Sequence, residues 1–373
     1  MEYLSSVIEN IPLHFIVGAG RSGTTLLGNI FNAHPNVTTP PENRFIMHFK
    51  QYFAHKKQLT ATDIDFFCDN AFKFHETTNA DFSTWLVNQS QLRQNLHQLL
   101  PNLDYATFCK AIYLHYFANA EKQQINTIID KNPSYALLIE ELLTIFPEAK
   151  FVGMVRDYRD NIQSRIKFKD DIEDPLHTVW FTANQWNFYN QYLLDMKQKY
   201  PHQILLIKYE DFAANAELYL QTICKFLDLT YNPIMLNYQD AFKRQYTTIL
   251  TALKTPKEAM LNEMHARVGT PITTQYSQKW RTQMSEQDII ITDFICGKVG
   301  KKFGYQPYEQ HASIRQKITY TIQNLFQKPL SDSYQHFMRL YFKVPISLRI
   351  WRNQLRNIPP IPDYKEIPQV ASS

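Results

Sequence analysis

Residues 18–25, Gly18-Ala19-Gly20-Arg21-Ser22-Gly23-Thr24-Thr25, have the spacing of a phosphate-binding loop with an unexpected cation. The loop that cradles nucleoside triphosphates reads G-x-x-x-x-G-K-[ST]. Gly18 and Gly23 keep its glycines and Thr25 keeps its hydroxyl, but Thr24 stands where the lysine belongs and Arg21 sits inside the loop. The apolar run His14-Phe15-Ile16-Val17 before it reads as a strand, and Leu26-Leu27-Gly28-Asn29-Ile30-Phe31 after it reads as a helix. Strand, glycine loop and helix N-terminus form an anion site, because free backbone N–H groups and the helix dipole both face the ligand. A bound phosphate is expected. Without the lysine that reaches the β- and γ-phosphates, ordinary use of ATP is not.

Four further groups of residues bear on the same chemistry. Arg156 follows the apolar run Phe151–Val155, and Ser164 comes eight residues later on the helix expected there. A guanidinium fork and a hydroxyl so placed can grip one phosphate from two sides. The neighbouring Arg159, Asp160 and Arg165 read as a solvated charged turn. Lys131, in Asp130-Lys131-Asn132-Pro133, also ends an apolar run and should project toward the same crevice. Glu42 follows Pro40-Pro41 just before a helix; ionised there, it could act as a general base or merely cap the helix. Tyr209 ends the run Leu205-Leu206-Ile207-Lys208 and could lie against an aromatic base.

These residues need a frame that brings them to one edge. The runs Phe15–Val17, Thr127–Ile129, Phe151–Val155 and Ile204–Ile207 are short, apolar and β-branched, with helical patterns between them. That alternation predicts an α/β fold built on a parallel sheet flanked by helices. Asn132 and Pro133 suit the cap and first turn of a helix carrying Leu137, Leu138, Glu141, Leu142 and Ile145 and stopped by Pro147. Residues 44–122 read as an aromatic-rich helical insertion, with Phe45, Phe49, Tyr52, Phe53, Phe66 and Phe67 among its rings. It should either pack a core of its own or hang above the sheet's carboxyl edge, where ligands bind. Residues 1–308 would then form the main domain, 309–357 a basic helical extension, and 358–373 a proline-rich tail, extended or disordered.

Composition narrows the classes. A net charge of +4 over 373 residues is no nucleic-acid footprint. Cys68, Cys109, Cys224 and Cys296 are widely spaced and form no CxxC pair, so neither a zinc site nor a disulfide framework is expected and a reducing, cytoplasmic setting fits. The start, Met1-Glu2-Tyr3-Leu4, lacks a basic leader pattern, and no run is long enough for a transmembrane segment. The basic extension predicts at most a peripheral contact.

Taken together, the motifs resemble the PAPS-dependent sulfotransferase family. Arg21-Ser22-Gly23-Thr24-Thr25-Leu26-Leu27 is similar to its 5′-phosphosulfate loop, and Phe151 through Ser164 to its 3′-phosphate motif. Ala33-His34-Pro35, Glu42-Asn43-Arg44, Lys131-Asn132-Pro133, Tyr209-Glu210-Asp211 and Lys279-Trp280 follow in the order of the protein-tyrosine sulfotransferases and their bacterial relatives. The resemblance covers about residues 13–308 and implies roles by position. Arg21, Ser22, Gly23, Thr24 and Thr25 would bind the 5′ end of PAPS, with Arg21 also facing the sulfuryl oxygens. Arg156 and Ser164 would hold the 3′-phosphate, Tyr209 would line the adenine pocket, and Lys279 would join the cofactor-binding set. Glu42 would be the base, Lys131 would stabilise the departing bridging oxygen, and Arg44 would face the acceptor. His34 and His48 are reserve bases.

The reaction so implied moves a sulfuryl group from PAPS to a hydroxyl, releasing PAP, with no metal. In-line transfer of an anionic group needs positioning and positive charge more than covalent catalysis. The acceptor is open among a sterol or lipid alcohol, a carbohydrate and a peptide tyrosine. Two other readings stay open at this point, a P-loop-type nucleotide kinase and a non-catalytic PAP- or nucleotide-binding module.

Overall fold

Short apolar runs are the frame of the molecule. A computed structural model describes residues 5–75, 81–122, 124–167, 178–253, 269–308 and 313–366. Within these, five strands form one sheet: β1 (Leu13–Gly18), β2 (Val37–Thr38), β3 (Thr127–Lys131), β4 (Phe151–Val155) and β5 (Ile204–Lys208). The order is β2-β3-β1-β4-β5 and every pairing is parallel. β1, β3 and β4 are buried along their whole length, which is why their sequences are continuously apolar rather than alternating. Alternation survives in the two faces. Phe15 and Val17 join one core with Phe151, Val155 and Trp186, while Ile16 joins the other with Leu27, Phe31, Val152 and Met154.

The sheet agrees with the sequence expectation, with one strand added. β2 is two residues long, too short for a periodicity, and exists because Val37 and Thr38 pair with Thr127 and Ile128 of β3. Its register delivers the Pro40-Pro41-Glu42 segment beside the end of β3. Carboxyl ends line up along one edge, with Ile16 opposite Lys131, Gly18 opposite Met154 and Val155 opposite Lys208. The chain crosses over β1 between β3 and β4, so the crevice lies at a topological switch point, where open α/β sheets bind ligands.

The insertion contributes the helices Phe45–Phe53, Ala61–Asn70, Gln89–Gln98 and Tyr105–Tyr113. Phe45, Phe49, Phe53 and Phe67 are buried and meet Phe82, Trp85 and Phe108 in edge and stacked pairs. They are continuous with the core on the Phe15 and Val17 face of the sheet. The segment after Asn132 is a 3₁₀ turn, Pro133–Leu138, passing into the short helix Ile139–Leu143, rather than one continuous helix. Asn132 does not cap it: its amide donates to the Asn43 carbonyl at 3.0 Å and to Asp130.

Beyond residue 313 the chain forms a 28-residue helix, Ile314–Tyr341, and a shorter one, Ile346–Leu355. The long helix lies on the central helix Val179–Lys199, where Asn184 donates to Asn324 at 2.8 Å and Gln185 to Gln335 at 3.2 Å. The tail is extended but pinned. Ile361 donates to the Phe72 carbonyl at 2.7 Å, and Asp363 accepts from the Gln89 amide at 2.7 Å. Residues 309–312 of the expected extension and 367–373 of the tail, with Pro368, lie outside the described residues.

Candidate active site

The loop after β1 turns because Gly23 takes φ 93°, a left-handed conformation that a side chain resists, and a Cβ there would meet Tyr209 Cδ2 at 2.6 Å. Arg21 is also left-handed, at φ 68°. The helix Thr24–Asn32 starts directly after Gly23, so the amides of its first turn point into the crevice. From the far side, the helix Tyr158–Lys167 braces the loop. Asn161 donates to the Gly20 carbonyl at 2.8 Å and to the Ser22 hydroxyl at 3.0 Å, and Arg21 Nε donates to Ser164 Oγ at 3.3 Å. Ser22 is thereby turned inward and fully buried, offering its hydroxyl to Asn161 and none to the cavity.

Arg156 leaves β4 into the same space. Its two terminal nitrogens donate to the Arg21 carbonyl at 3.2 Å and the Tyr276 carbonyl at 2.6 Å, and its guanidinium lies 4.9 Å above the Tyr209 ring. Arg156 Nε is buried and has no hydrogen-bond partner among the described residues. Glu210, next to Tyr209, clamps β5 to β4: it accepts from the Asp157 amide at 3.0 Å and the Tyr305 hydroxyl at 2.8 Å.

Glu42 and Lys131 meet at the other end. Lys131 Nζ donates to Glu42 Oε1 at 2.6 Å, with the lysine more buried than the carboxylate. At the start of the helix Phe45–Phe53 the amide of Phe45 is taken by Asn43 Oδ1, at 3.0 Å, while Glu42 reaches back to β3. Asp130, beside Lys131, is buried, and loss of solvent pushes its carboxyl up to about 7, against the pull of Asn132 and Lys131.

A cavity of about 430 Å³ joins these parts. Arg21, Gly23, Thr24, Thr25, Arg156, Ser164, Tyr209, Glu42 and Arg44 all line it. Lys131 reaches it through Glu42, and Lys279 stands over the Tyr276 ring at 4.7 Å, one residue back from the lining. Neither histidine lines it. His34 is held by the Thr230 carbonyl at 2.9 Å and by the Asn36 amide at 3.1 Å, and His48 is buried against Phe342, ring centres 5.1 Å apart.

Two expectations need correction. Arg159 and Asp160 are buried rather than solvated. Asp160 accepts from the amides of Gln278 at 2.6 Å and Trp280 at 3.0 Å, while Arg159 pairs with Asp157 at 2.8 Å and lies 4.0 Å over the Trp280 ring. They latch the Tyr276–Trp280 segment onto the Arg156 side of the site. Arg165 is a lining residue, bonded to Gln185. The extension supplies lining residues that no motif marked, Tyr334, Gln335, Met338, Arg339 and Phe342. Their only sequence signature was an amphipathic helix of unassigned direction.

Residues 12–233 match the sulfotransferase family profile. Over 306 residues the chain is 22% identical to a protein-tyrosine sulfotransferase of Drosophila melanogaster, covering 80% of this chain and 53% of that protein. Over 301 residues it is 22% identical to protein-tyrosine sulfotransferase 1 of Danio rerio, covering 80% and 74%. The chain thus spans about half the length of the fly relative. Among solved structures, the sulfotransferase domain of the Synechococcus PCC 7002 olefin synthase superposes with a TM-score of 0.49 at 21% identity, covering 79% of this chain and 95% of that one.

Proposed function

The chain belongs to the sulfotransferase family, and on that premise we propose that it transfers the sulfuryl group of PAPS to a hydroxyl of an acceptor and releases PAP. The observation that carries this reading is the cavity itself: a lysine-free arginine loop and a strand-end arginine at one end, and a carboxylate–lysine pair at the other.

PAPS brings an activated sulfuryl group on its 5′-phosphate, with PAP as the leaving group. The free amides after Gly23, with the Thr24 and Thr25 hydroxyls, would hold that phosphate, and Arg21 would add charge toward the sulfuryl oxygens. Arg156 Nε, buried with no partner among the described residues, and Ser164 suit the 3′-phosphate. Tyr209 would flank the base. Glu42 would take the proton of the acceptor hydroxyl, since an alcohol is a weak nucleophile without a base. Lys131, which already orients Glu42, would face negative charge developing on the departing oxygen.

For the acceptor, a sterol or lipid alcohol or a carbohydrate is favoured, with peptide tyrosine next. Support for an apolar body comes from Leu137, Leu138, Met338 and Phe342 in the lining of the cavity, and the names of the relatives support a phenol. A cytoplasmic setting is part of the same proposal. Incubation with PAPS and an acceptor panel in metal-free buffer should release PAP, and Glu42→Gln should cut turnover by roughly 10²-fold or more while PAP still binds by calorimetry. Silence with every acceptor class, together with phosphorylation from ATP, rejects the reading. Undiminished turnover in Glu42→Gln rejects Glu42 as the base.

A further inference from the structure

The helix Ile314–Tyr341 uses only one side to hold the molecule. Tyr320, Ser331 and Gln335 are buried on the side that meets the central helix Val179–Lys199. On the other side Ile314, Ile318, Ile322, the adjacent Leu325 and Phe326, and Leu330 recur at three- to four-residue intervals and are 49–80% exposed. The stripe runs about 25 Å along the helix at 1.5 Å per residue. Phe337 and Leu340 continue it, and Trp351 and Leu355 expose the next helix in the same way. Uncovered apolar surface on this scale marks an interaction site.

Charge selects the occupant. Residues 313–356 carry eight lysines and arginines against a single acid, Asp332, so that the rest of the chain is net negative. Arg339 and Arg349 turn inward and Lys328 pairs with Asp332, which leaves Arg315, Lys317, Lys343, Arg352 and Arg356 as the surplus. By helical position Arg315 falls within the stripe and Lys328 near its edge, while Lys317, on the other side, is exposed in the helix's first turn. Two copies placed face to face would set cation against cation with one acid each to offset them. An anionic lipid surface offers what the face lacks: hydrocarbon for the isoleucines and phenylalanines, and negative headgroups for the cations. No helix among the described residues is long and apolar enough to cross a membrane, so the fit is to the interface. We propose that the outer face of the C-terminal extension docks the protein on an anionic lipid bilayer. The C-terminal end of the same helix, Tyr334 to Arg339, walls the cavity, so the docking face and the site share one rigid element.

Co-sedimentation of the full chain with phosphatidylcholine vesicles, with and without phosphatidylglycerol, tests this. Binding is expected to the anionic vesicles, weaker to neutral ones, and reduced by added salt. The triple variant Ile318→Gln, Phe326→Gln, Leu330→Gln should lose about tenfold or more of that binding while its PAP affinity by calorimetry stays that of the wild type. Should that variant fail to fold, Arg315→Glu with Lys317→Glu should lower anionic binding alone. The proposal is overturned if the wild type stays in the supernatant, if folded variants bind undiminished, or if sedimentation velocity shows a dimer that the apolar substitutions abolish. Vesicle binding itself is read without PAP or acceptor, PAP affinity serving only to show that the variant is folded, so the proposal can fail while the sulfotransferase reading stands, and the reverse.

Discussion

At the scale of single residues, each ionisable group in the cavity is defined by what holds it. Arg156 is fixed by two carbonyls and a tyrosine ring, which aims a pre-oriented guanidinium at the space beside the loop. Removing it as Arg156→Ala should weaken PAP binding roughly ten- to hundredfold, the worth of a charge-assisted hydrogen bond, and isothermal calorimetry reads this directly. Asp130 predicts a pH effect. Its carboxyl is lifted from 3.8 to about 7 in the folded protein, so between these values the native state holds a proton that the unfolded chain has lost. Stability contributed by this group is therefore full below the lower value and falls as pH rises toward 7. Asp130→Asn should flatten that slope, which denaturant titrations at pH 5 and pH 8 would show as a smaller difference than in the wild type.

At the scale of elements, the site depends on close approach between a loop and the strand ends around it. Gly23 lets the loop pass against Tyr209, and Asp160 ties the Tyr276–Trp280 segment to the helix after β4. A methyl group at position 23 would need both a left-handed alanine, at a cost of roughly 1–2 kcal/mol, and displacement of the Tyr209 ring. Gly23→Ala should accordingly lower the melting temperature and weaken PAP binding together, whereas a purely structural glycine would affect only the first. β2 shows the same dependence in miniature. Two residues of pairing carry Glu42 to Lys131, and Trp85 of the insertion holds the approach by donating to the Pro41 carbonyl at 2.9 Å.

At the scale of the whole molecule, the extension is a wall of the site rather than an appendage. Arg339 donates to the Leu137 carbonyl at 2.9 Å and to the Tyr192 hydroxyl at 3.1 Å, and Phe342 packs between His48 and Tyr135. The bond from Arg165 to Gln185, and from there to Gln335, runs across three helices, the last of them distant in sequence from the other two. Phe342→Ala removes a buried ring and should destabilise the protein on the order of 3 kcal/mol. It should also raise the acceptor KM while leaving PAP affinity unchanged. Thermal denaturation and steady-state kinetics separate the two effects.

The placement of the glycine loop after β1, of the arginine after β4, of the lysine that ends β3 and of the glutamate after Pro41 was legible in the sequence because each rests on local rules: strand, turn and helix within a dozen residues. The parallel sheet was legible for the same reason, through short apolar runs with helical patterns between them. Tertiary structure alone decided what required distant segments to meet. It paired Glu42 with Lys131 through a strand too short to leave a period. It buried Arg159 and Asp160 against a segment over a hundred residues away. It closed the cavity with a helix that turns its polar face, Ser331 and Gln335, inward and leaves its apolar stripe bare. Hydrophobic patterning says that a face is apolar, and only packing says what covers it.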